Sequence, residues 1–467
     1  MSGNLLGRRP FIGSLAASVL ALRHGSAFAA GGPPLIRFGV LSDVHIGTTP
    51  TTENNYRYGH TATFRAALEA FRAWGADAVI VAGDIADRGM PHQLAAAVNV
   101  WREVFPDGKA PDGRPVEPVF IYGNHDACPG WFNNCVVKRA KTPEKGEQLR
   151  RASISANPAK VWEEVTGEKF SDIYIKKIKG FSFIGCHWYR QRKGRLKAFL
   201  ETHKNELSDG KPFFYVQHDH PKGTCHSDWV HGKDDGSSTA ALSSFPGAVA
   251  FSGHSHHSLT DPRVVWQGAF TSIGTSSLSY VDTPQGCLNT SKAAPWSDEA
   301  VKLNKPVGRE ARQGWFVTVF ADRIELEPYE FVKGEPLAAK TVLPWPARLG
   351  RPFRPESGAV PPCFPAGAAI AVARTEQGDV RVTFPSAEAA AASRCYQYEL
   401  TVVGADGQRV AARYCSENFY QARARVPAQQ SCVLRGAELP PKIRRVEVVP
   451  VGFCGLRGAP LTGEPSV

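Results

Sequence analysis

Five short polar clusters, each directly after an apolar run, constrain the fold of this chain more than any other feature. The runs have the length and the Val, Ile and Phe content of buried strands, and stretches with helical periodicity separate several of them. The clusters are Asp43-Val44-His45, Gly83-Asp84-Ile85-Ala86-Asp87-Arg88-Gly89, Gly123-Asn124-His125-Asp126, His218-Asp219-His220-Pro221 and Gly253-His254-Ser255-His256. Alternating strands and helices form a mainly parallel sheet, which binds ligands at the carboxyl ends of its strands. The sequence therefore predicts an α/β domain whose polar clusters meet at one sheet edge.

Imidazole, carboxylate and amide groups concentrated at one edge indicate a metal site. Taken singly, each cluster has a structural explanation, such as a helix-capping aspartate or a turn. Together these groups would be costly to bury without a cation. Such donors suit Zn, Mn or Fe better than Ca or Mg. One carboxylate can bridge two cations roughly 3.5–4 Å apart, and such a pair lowers the pKa of a shared water and neutralises phosphoryl charge.

The order and content of the clusters resemble the calcineurin-like metallophosphoesterase family over about residues 35–330. The resemblance implies a four-layer α/β (α+β) sandwich with a dinuclear site at its edge. It implies two divalent or trivalent transition metal ions, Mn, Fe or Zn, and no organic cofactor site is predicted. The implied metal ligands are Asp43, His45 and His256 for one ion, Asn124, His218 and His254 for the other, and Asp84 as the bridge.

The same resemblance implies roles for residues beside the metals. His125 matches the family histidine that is not a ligand but protonates the leaving oxygen, and Asp126 would orient it. Asp87 is expected to lie behind the metal ligands and to hold them in position without binding a metal itself. Arg88 either joins that support or forms a structural ion pair. His220 is expected to face the substrate or to lie behind the ligands.

Three insertions, residues 127–170, 219–245 and 275–312, are expected to shape the pocket, because loops on a rigid scaffold often determine specificity. Within the second insertion, Trp229 could stack on a base or a sugar. The alternative, a packed aromatic residue beside solvated loop residues, is equally consistent with the sequence.

The expected function is hydrolysis of small phosphodiesters, such as cyclic nucleotides or glycerophosphodiesters, by attack of metal-bound hydroxide. Purple acid phosphatases have a tyrosine ligand three residues after the bridging aspartate, and Asp87 occupies that position here. The GDIADRG form of the second cluster looks more like the bacterial cyclic-nucleotide and glycerophosphodiester phosphodiesterase branch. A phosphomonoesterase would use the same metals and stays open, as does an envelope binding protein with a vestigial metal site.

Residues 1–29 are predicted to be an export signal. The pair Arg8-Arg9 precedes Phe11 and a short apolar run, and Ala27-Phe28-Ala29 supplies a small-x-small cleavage pattern. The pair resembles a bacterial twin-arginine signal, with an ordinary secretory signal as the alternative. We therefore expect a periplasmic or secreted protein without a transmembrane segment. Removing this segment lowers the formal net charge from +11 to +8 without leaving a dense basic block, so no nucleic-acid partner is expected.

The C-terminal part of the chain has a different sequence texture. Nine prolines lie between Pro328 and Pro365 and predict a linker over 331–361 with little regular structure. Short β-type runs over 362–467 predict a β-sandwich, and the ending VEVVPVGFCGLRGAPL resembles a fibronectin type III domain. This module is expected to contribute no metal ligands and to be a docking or structural module, with an envelope or protein partner. Deleting residues 362–467 is therefore expected to leave turnover largely intact. The sequence does not determine the oligomeric state.

Ten cysteines are consistent with an oxidising compartment. A cross-strand bridge between Cys395 and Cys415 is predicted from the hairpin that they flank. Two further pairings, Cys128 with Cys135 and Cys432 with Cys454, are weaker predictions from spacing. Reduced, packed cysteines are the alternative throughout, and Cys186 is predicted to be a buried thiol.

Overall fold

A computed structural model describes residues 32–52, 55–127, 140, 142–225, 234–290, 296–346, 353, 355–387 and 394–465. The predictions for residues 1–29, for the Cys128–Cys135 pair and for Trp229 lie outside these ranges. Within these ranges, every helix is too short or too polar to cross a membrane.

The first sheet contains the strands that precede the first three polar clusters. Its strands, numbered in chain order through the whole protein, are β1 (Ile36–Leu41), β4 (Ala78–Val81), β5 (Glu117–Phe120), β12 (Gln313–Val319), β13 (Arg323–Glu330), β14 (Glu335–Pro336) and β15 (Thr341–Pro344). The strand order is β14-β13-β12-β1-β4-β5, with β15 also paired to β13. Strands β1, β4 and β5 are parallel, so their carboxyl ends share one edge.

The second sheet contains the strands that precede the other two clusters. Its strands are β6 (Ile173–Ile178), β7 (Phe181–Cys186), β8 (Phe213–Val216), β9 (Ala248–Ser252), β10 (Val265–Gln267) and β11 (Thr271–Gly274). The order is β10-β11-β9-β8-β7-β6, with β7, β8, β9 and β11 parallel. Strands β7 to β9 are buried along their whole length, which explains why they are continuous apolar runs.

Helices cover the outer faces of both sheets. They are α1 (Thr61–Trp74), α2 (Pro91–Val104), α3 (Asn124–Ala127), α4 (Pro143–Arg151), α5 (Pro158–Thr166), α6 (Arg195–Thr202), α7 (Lys204–Leu207), α8 (Ser237–Leu242) and α9 (Asp298–Lys302), beside a hairpin of β2 (Thr48–Thr52) and β3 (Asn55–Tyr58). Helices α1, α2 and α5 pack on the first sheet, and α6 to α8 pack on the second. Helix α1 buries Phe64, Ala67, Leu68 and Phe71, which recur at helical spacing on one face.

The two sheets pack face to face through aromatic side chains. The ring of Phe38 on β1 lies 5.2 Å from that of Phe183, 4.7 Å from that of Phe214 and 5.8 Å from that of Phe251, all on the second sheet. The layers are therefore helix, sheet, sheet and helix. This confirms the predicted four-layer α/β fold.

The C-terminal region consists of two antiparallel sheets that share one apolar core. The strands are β16 (Ala371–Arg374), β17 (Val380–Pro385), β18 (Cys395–Gly404), β19 (Arg409–Cys415), β20 (Gln429–Leu434), β21 (Ile443–Gly452) and β22 (Leu461–Gly463). The orders are β16-β17-β20 and β19-β18-β21-β22. This confirms the predicted all-β C-terminal region.

The segment 331–361 is more regular than the proline content predicts. Strands β14 and β15 lie within it, and both pair with β13. A long β13 would otherwise present unpaired backbone groups at the end of the first sheet. Part of the predicted linker is therefore an edge of that sheet.

The predicted Cys395–Cys415 and Cys432–Cys454 disulfides are not formed. In the β18–β19 register, Cys415 lies opposite Gln397, so Cys395 is two residues beyond it. Cys432 is buried, whereas Cys454 is exposed. Cys186 is buried as predicted, and that burial raises the pKa of its thiol to about 12.

Candidate metal centre

All the predicted metal ligands converge at the shared carboxyl edge of the two sheets. Side chains that could hold a metal fall into three overlapping groups, and within each group the donor atoms lie within 4.8 Å of one another. The groups are Asp43, His45 and His256; Asp84, His218 and His254; and His45, Asp84 and His125. The first two correspond to the predicted pair of ions, whereas the third includes a residue predicted not to be a ligand.

In the first of these groups, the donor atoms of Asp43, His45 and His256 lie close together. Oδ1 of Asp43 lies 2.9 Å from Nε2 of His256 and 3.7 Å from Nε2 of His45, and the two imidazole nitrogens are 3.3 Å apart. Oδ2 of Asp43 accepts the backbone N–H of His254 at 3.0 Å. Oδ1 is buried and accepts no hydrogen bond within the described ranges. A buried carboxylate oxygen in that state fits a metal ligand.

The second group, Asp84, His218 and His254, is centred on the Asp84 carboxylate. Its Oδ2 lies 3.2 Å from Nε2 of His218 and 3.7 Å from Nε2 of His45. Its Oδ1 accepts the backbone N–H of His125 at 2.7 Å. The amide Oδ1 of Asn124 lies 3.0 Å from Nε2 of His218. The Asp84 carboxylate thus faces an imidazole from each of the two groups.

Carbonyl groups fix the tautomers of two of these histidines. Nδ1 of His218 donates to the carbonyl of Ala82 at 2.7 Å, and Nδ1 of His256 donates to the carbonyl of Tyr280 at 3.1 Å. With the hydrogen on Nδ1, the lone pair of Nε2 points at the site. Nitrogen and oxygen donors in this arrangement fit a pair of transition metal ions.

The backbone at the site is strained in the way that functional sites often are. Five candidate ligands adopt left-handed backbone angles, with φ between 49° and 66°: Asp43, His45, Asp84, His254 and His256. Such angles in non-glycine residues cost about 1–3 kcal/mol each and persist only where the surroundings hold them. Gly123 packs so closely on Asp84 that a Cβ at this position would collide with that carboxylate. The glycine therefore allows two clusters to approach each other.

The position of His125 is compatible with the predicted proton donor. Its Nδ1 donates to the carbonyl of Asp87 at 2.8 Å, and its ring lies 4.4 Å from that of His45. The side chain is 21% exposed, against 7% for His45. His125 is thus the more accessible of the two rings.

Asp126 differs from its predicted role. Its carboxylate accepts the backbone N–H groups of Ile85 at 3.1 Å, Ala86 at 2.7 Å and Gly123 at 2.8 Å. It therefore joins the loops of the second and third clusters. The contact that orients the imidazole of His125 is made by the Asp87 carbonyl, because the Asp126 carboxylate is occupied by these amides.

The remaining predicted residues lie around the ligands. Oδ1 of Asp87 is 3.5 Å from Nδ1 of His45, and Oδ2 of Asp87 is 3.3 Å from Nε of Arg88. Asp87 thus supports a ligand, and Arg88 forms the ion pair that was one of its two predicted roles. His220 is buried with its ring nitrogens 2.7 Å from Ser252 Oγ and 2.8 Å from Ser255 Oγ. Of the two predictions for His220, the position behind the ligands is the one observed.

Two aromatic residues lie beside the ligands, and sequence reasoning missed one of them, Trp188. The ring of Trp188 lies 5.5 Å from that of His218 and 5.9 Å from that of His254. Trp188 follows β7, so the strand-end rule applied to this strand would have found it. The ring of Tyr280 lies 4.3 Å from that of His256, with the guanidinium of Arg309 4.7 Å above it. Tyr280 lies in the 275–312 insertion, which the sequence predicts to shape the pocket.

Charges of opposite sign balance each other within the site. Burial opposes protonation of His45, but attraction to the nearby Asp43, Asp87 and Asp84 carboxylates outweighs it and raises the pKa of His45 to about 10. For His218, burial is likewise outweighed by Asp84 and Asp43, which raise its pKa to about 10. The pKa values of both Asp43 and Asp84 are lowered, because attraction to the neighbouring histidines exceeds the effect of burial. Without a metal, two carboxylates thus face two protonated imidazoles.

Metal binding at neutral pH should therefore release about two protons per chain. His45 and His218 hold protons below their raised pKa values, and each must lose one before Nε2 can bind a cation. Metal affinity should accordingly increase with pH up to the raised pKa values of about 10. Calorimetric titration with Mn²⁺ at pH 7, in buffers of different ionisation enthalpy, counts these protons. His203→Gln removes an imidazole that pairs with Glu206 away from the site and should leave the count unchanged. Binding without proton release would contradict this expectation.

Residues 36–258 match the profile of a protein family described as Calcineurin-like phosphoesterase. No curated protein is similar enough to the chain to count as a match. A dimetal phosphatase from Danio rerio has 12% sequence identity and a TM-score of 0.38, over 67% of this chain and 100% of that chain. A purple acid phosphatase from yellow lupin (Lupinus luteus) seeds has 12% identity and a TM-score of 0.39, over 68% and 55%. Likenesses of this size assign no substrate to this chain.

The profile match covers every strand that presents a candidate ligand. It begins at the first residue of β1 and ends two residues after His256. The candidate ligand clusters lie within the matched residues, and the matched family implies metal-dependent hydrolysis of phosphoesters. Over residues 36–258, this chain is thus similar to the calcineurin-like phosphoesterase family.

Proposed function

We propose that this protein is an exported phosphodiesterase that uses two transition metal ions, Mn, Fe or Zn, to hydrolyse small phosphodiesters. One observation carries the dinuclear part of the proposal. Oδ2 of Asp84 faces Nε2 of His218 at 3.2 Å and Nε2 of His45 at 3.7 Å, as a carboxylate that bridges two ions must. Two bound cations supply a water of lowered pKa and neutralise phosphoryl charge.

The side chains of the protein would hold the two ions and transfer a proton to the leaving group. One ion would be held by Asp43, His45 and His256, the other by Asn124, His218 and His254, and both by Asp84. Nδ1 of His125 donates a hydrogen bond to the Asp87 carbonyl. Nε2 is therefore the nitrogen that can protonate the leaving oxygen. Burial lowers the pKa of His125 despite the nearby carboxylates, which favours transfer of that proton.

A diester is favoured over a monoester by two features. The GDIADRG cluster at 83–89 resembles the bacterial phosphodiesterase branch. In addition, two guanidinium groups near the site are engaged, Arg88 with the Asp87 carboxylate and Arg309 with the ring of Tyr280. A monoester dianion gains more from cationic side chains than a diester monoanion does. This arrangement supports a singly charged substrate.

Hydrolysis of bis(p-nitrophenyl) phosphate and of p-nitrophenyl phosphate tests the proposal. The mature protein should be stripped of metal and reloaded with Mn, Zn or Fe. We expect metal-dependent turnover that is faster on the diester and is reduced by roughly a hundredfold or more in Asn124→Ala, because a donor beside His218 is lost. Asn157→Ala, at an exposed helix start, is the matched control and should keep full activity.

The outcomes of this assay separate the possible functions. Faster hydrolysis of the monoester would replace the diesterase with a phosphomonoesterase. A folded protein that binds none of these metals and hydrolyses neither substrate would contradict the metal centre itself and would favour a binding protein with a vestigial site.

Export to the periplasm or beyond is part of the proposal. It is supported by the Arg8-Arg9 pair, by Phe11 and by the Ala27-Phe28-Ala29 pattern. Residues 1–35 fused to a reporter should be exported in a bacterium, and changing both arginines to lysine should block this. Export that survives both changes would indicate an ordinary secretory signal.

We also propose that the C-terminal sheets form a fibronectin type III-like sandwich. Sheets of three and four antiparallel strands around one core support this assignment. An envelope or protein partner for this region stays a prediction.

A further inference from the structure

We propose that the C-terminal sheets position the metal-binding loop, by holding residues 258–261, which follow the candidate ligand His256. Because this role depends on the proposed metal centre, its test measures metal binding as well as turnover. The C-terminal region would then be a structural part of the metal centre rather than a separable docking module.

Two hydrogen bonds hold Thr260 from the C-terminal side. Its hydroxyl donates to the carbonyl of Phe419, and its carbonyl accepts the hydroxyl of Tyr396 at 3.2 Å. Thr260, Phe419 and Tyr396 are all buried. The loop is therefore bonded through both a side chain and the backbone, away from competing water.

Gln313, at the start of β12, connects the same loop to the C-terminal region from the other side. Its Oε1 accepts the backbone N–H of Leu259 at 2.9 Å and the hydroxyl of Ser276 at 3.2 Å. Its Nε2 donates to the carbonyl of Tyr420 at 2.8 Å. A fully buried amide thus joins two loops of the metal-site domain to the C-terminal segment.

The residue next to the ligand also packs against the C-terminal region. Nε2 of His257 lies 3.0 Å from Oδ2 of Asp261, and the His257 ring meets that of Phe419 edge-on at 5.3 Å. Arg263 donates to the same Asp261 carboxylate at 2.7 Å and lies 5.7 Å from the centre of the Phe453 ring. Polar and aromatic contacts therefore continue from residue 257 to residue 263.

These contacts matter because His256 is held in an unfavourable backbone conformation. Its φ is 51°, and a loop residue keeps such an angle only if its surroundings fix it. A ligand that is fixed before the metal arrives loses less entropy on binding. Loosening residues 258–261 should therefore weaken binding of the ion that His256 holds, and should affect the second ion less.

A pair of neighbouring tyrosines on β18 provides a matched test. Tyr396→Phe removes the hydroxyl that bonds Thr260, whereas Tyr398→Phe removes a hydroxyl that accepts the N–H of Ala387 inside the sandwich. Both side chains are buried, and each variant loses one oxygen atom. Stepwise calorimetric titration of the full mature chain with Mn²⁺ should show one of the two binding steps weakened about fivefold in Tyr396→Phe. Both steps should be unchanged in Tyr398→Phe.

Further measurements distinguish the possible failures. Two unchanged steps in a folded Tyr396→Phe, or equal losses in both tyrosine variants, would overturn the positioning role. If Tyr396→Phe does not fold, Thr260→Val removes the other hydrogen bond and should weaken the same step. Manganese electron paramagnetic resonance should show altered spectra for the variants that weaken this step. If the unaltered protein binds no Mn²⁺, Zn²⁺ or Fe²⁺, the proposed metal centre fails instead.

Discussion

Replacing Asp84 with asparagine should lower kcat/KM for bis(p-nitrophenyl) phosphate by roughly a thousandfold. Oδ2 of Asp84 faces one imidazole from each group of candidate ligands. It lies 3.2 Å from Nε2 of His218 and 3.7 Å from Nε2 of His45. A neutral amide is a weaker ligand and cannot balance the charge of two cations. Metal analysis of the purified variant should find about one ion per chain instead of about two.

The matched control for this variant is Asp112→Asn, which changes an exposed carboxylate whose nearest cationic partner is Arg114. It should retain both metal content and activity. An Asp84→Asn protein with two tightly bound ions and normal turnover would show that this carboxylate does not bridge.

His125→Gln should lower turnover of a diester with an alkoxide leaving group by roughly 10²–10⁴-fold. Turnover of bis(p-nitrophenyl) phosphate should fall far less, because p-nitrophenolate leaves without a proton. The difference follows from the position of His125, whose Nδ1 is bound to the Asp87 carbonyl and whose Nε2 remains for the substrate. Rates on the two substrates and the metal content of the variant are the required measurements.

Metal content distinguishes two roles for His125. Its donor atoms also lie within 4.8 Å of those of His45 and Asp84, an arrangement that could hold an ion. A proton donor can be removed without loss of metal, whereas a ligand cannot. Two ions retained in His125→Gln would support the proton donor. Loss of an ion, with equal losses on both substrates, would make His125 a ligand. His203→Gln serves as the control, because its ring pairs with Glu206 at the end of α6.

The C-terminal region illustrates how a correct prediction of fold class can mislead about domain independence. The change of sequence texture after residue 361 predicted the all-β sheets, and the structure confirms them. The same texture suggested a docking or structural module whose removal would leave turnover largely intact. An apolar cluster instead combines Val281 and Val307 with Tyr396, Phe419 and Tyr420 across the boundary. Removing residues 362–467 would expose this cluster to water, so we expect the truncated chain to aggregate rather than to turn over substrate.

The sequence by itself determined the sheet class and the meeting point of the polar clusters. Apolar runs such as 35–43 and 212–218 predict buried strands from composition alone. Parallel strands end at a common edge, so Asp43, Asp84 and His218 could be placed together without knowing any distance. These features depend on local periodicity and on strand polarity, which a single sequence carries.

Only the tertiary structure decided which atoms touch. The Asp126 carboxylate accepts three backbone amides instead of the His125 ring, and Cys415 lies opposite Gln397 instead of Cys395. Both outcomes depend on side-chain direction or on strand register, and a register shift of two residues changes the facing partners while the hydrophobic pattern is kept. The bond between Thr260 and Tyr396 joins residues 136 positions apart. No local pattern encodes such a contact, because it exists only once the two regions have packed against each other.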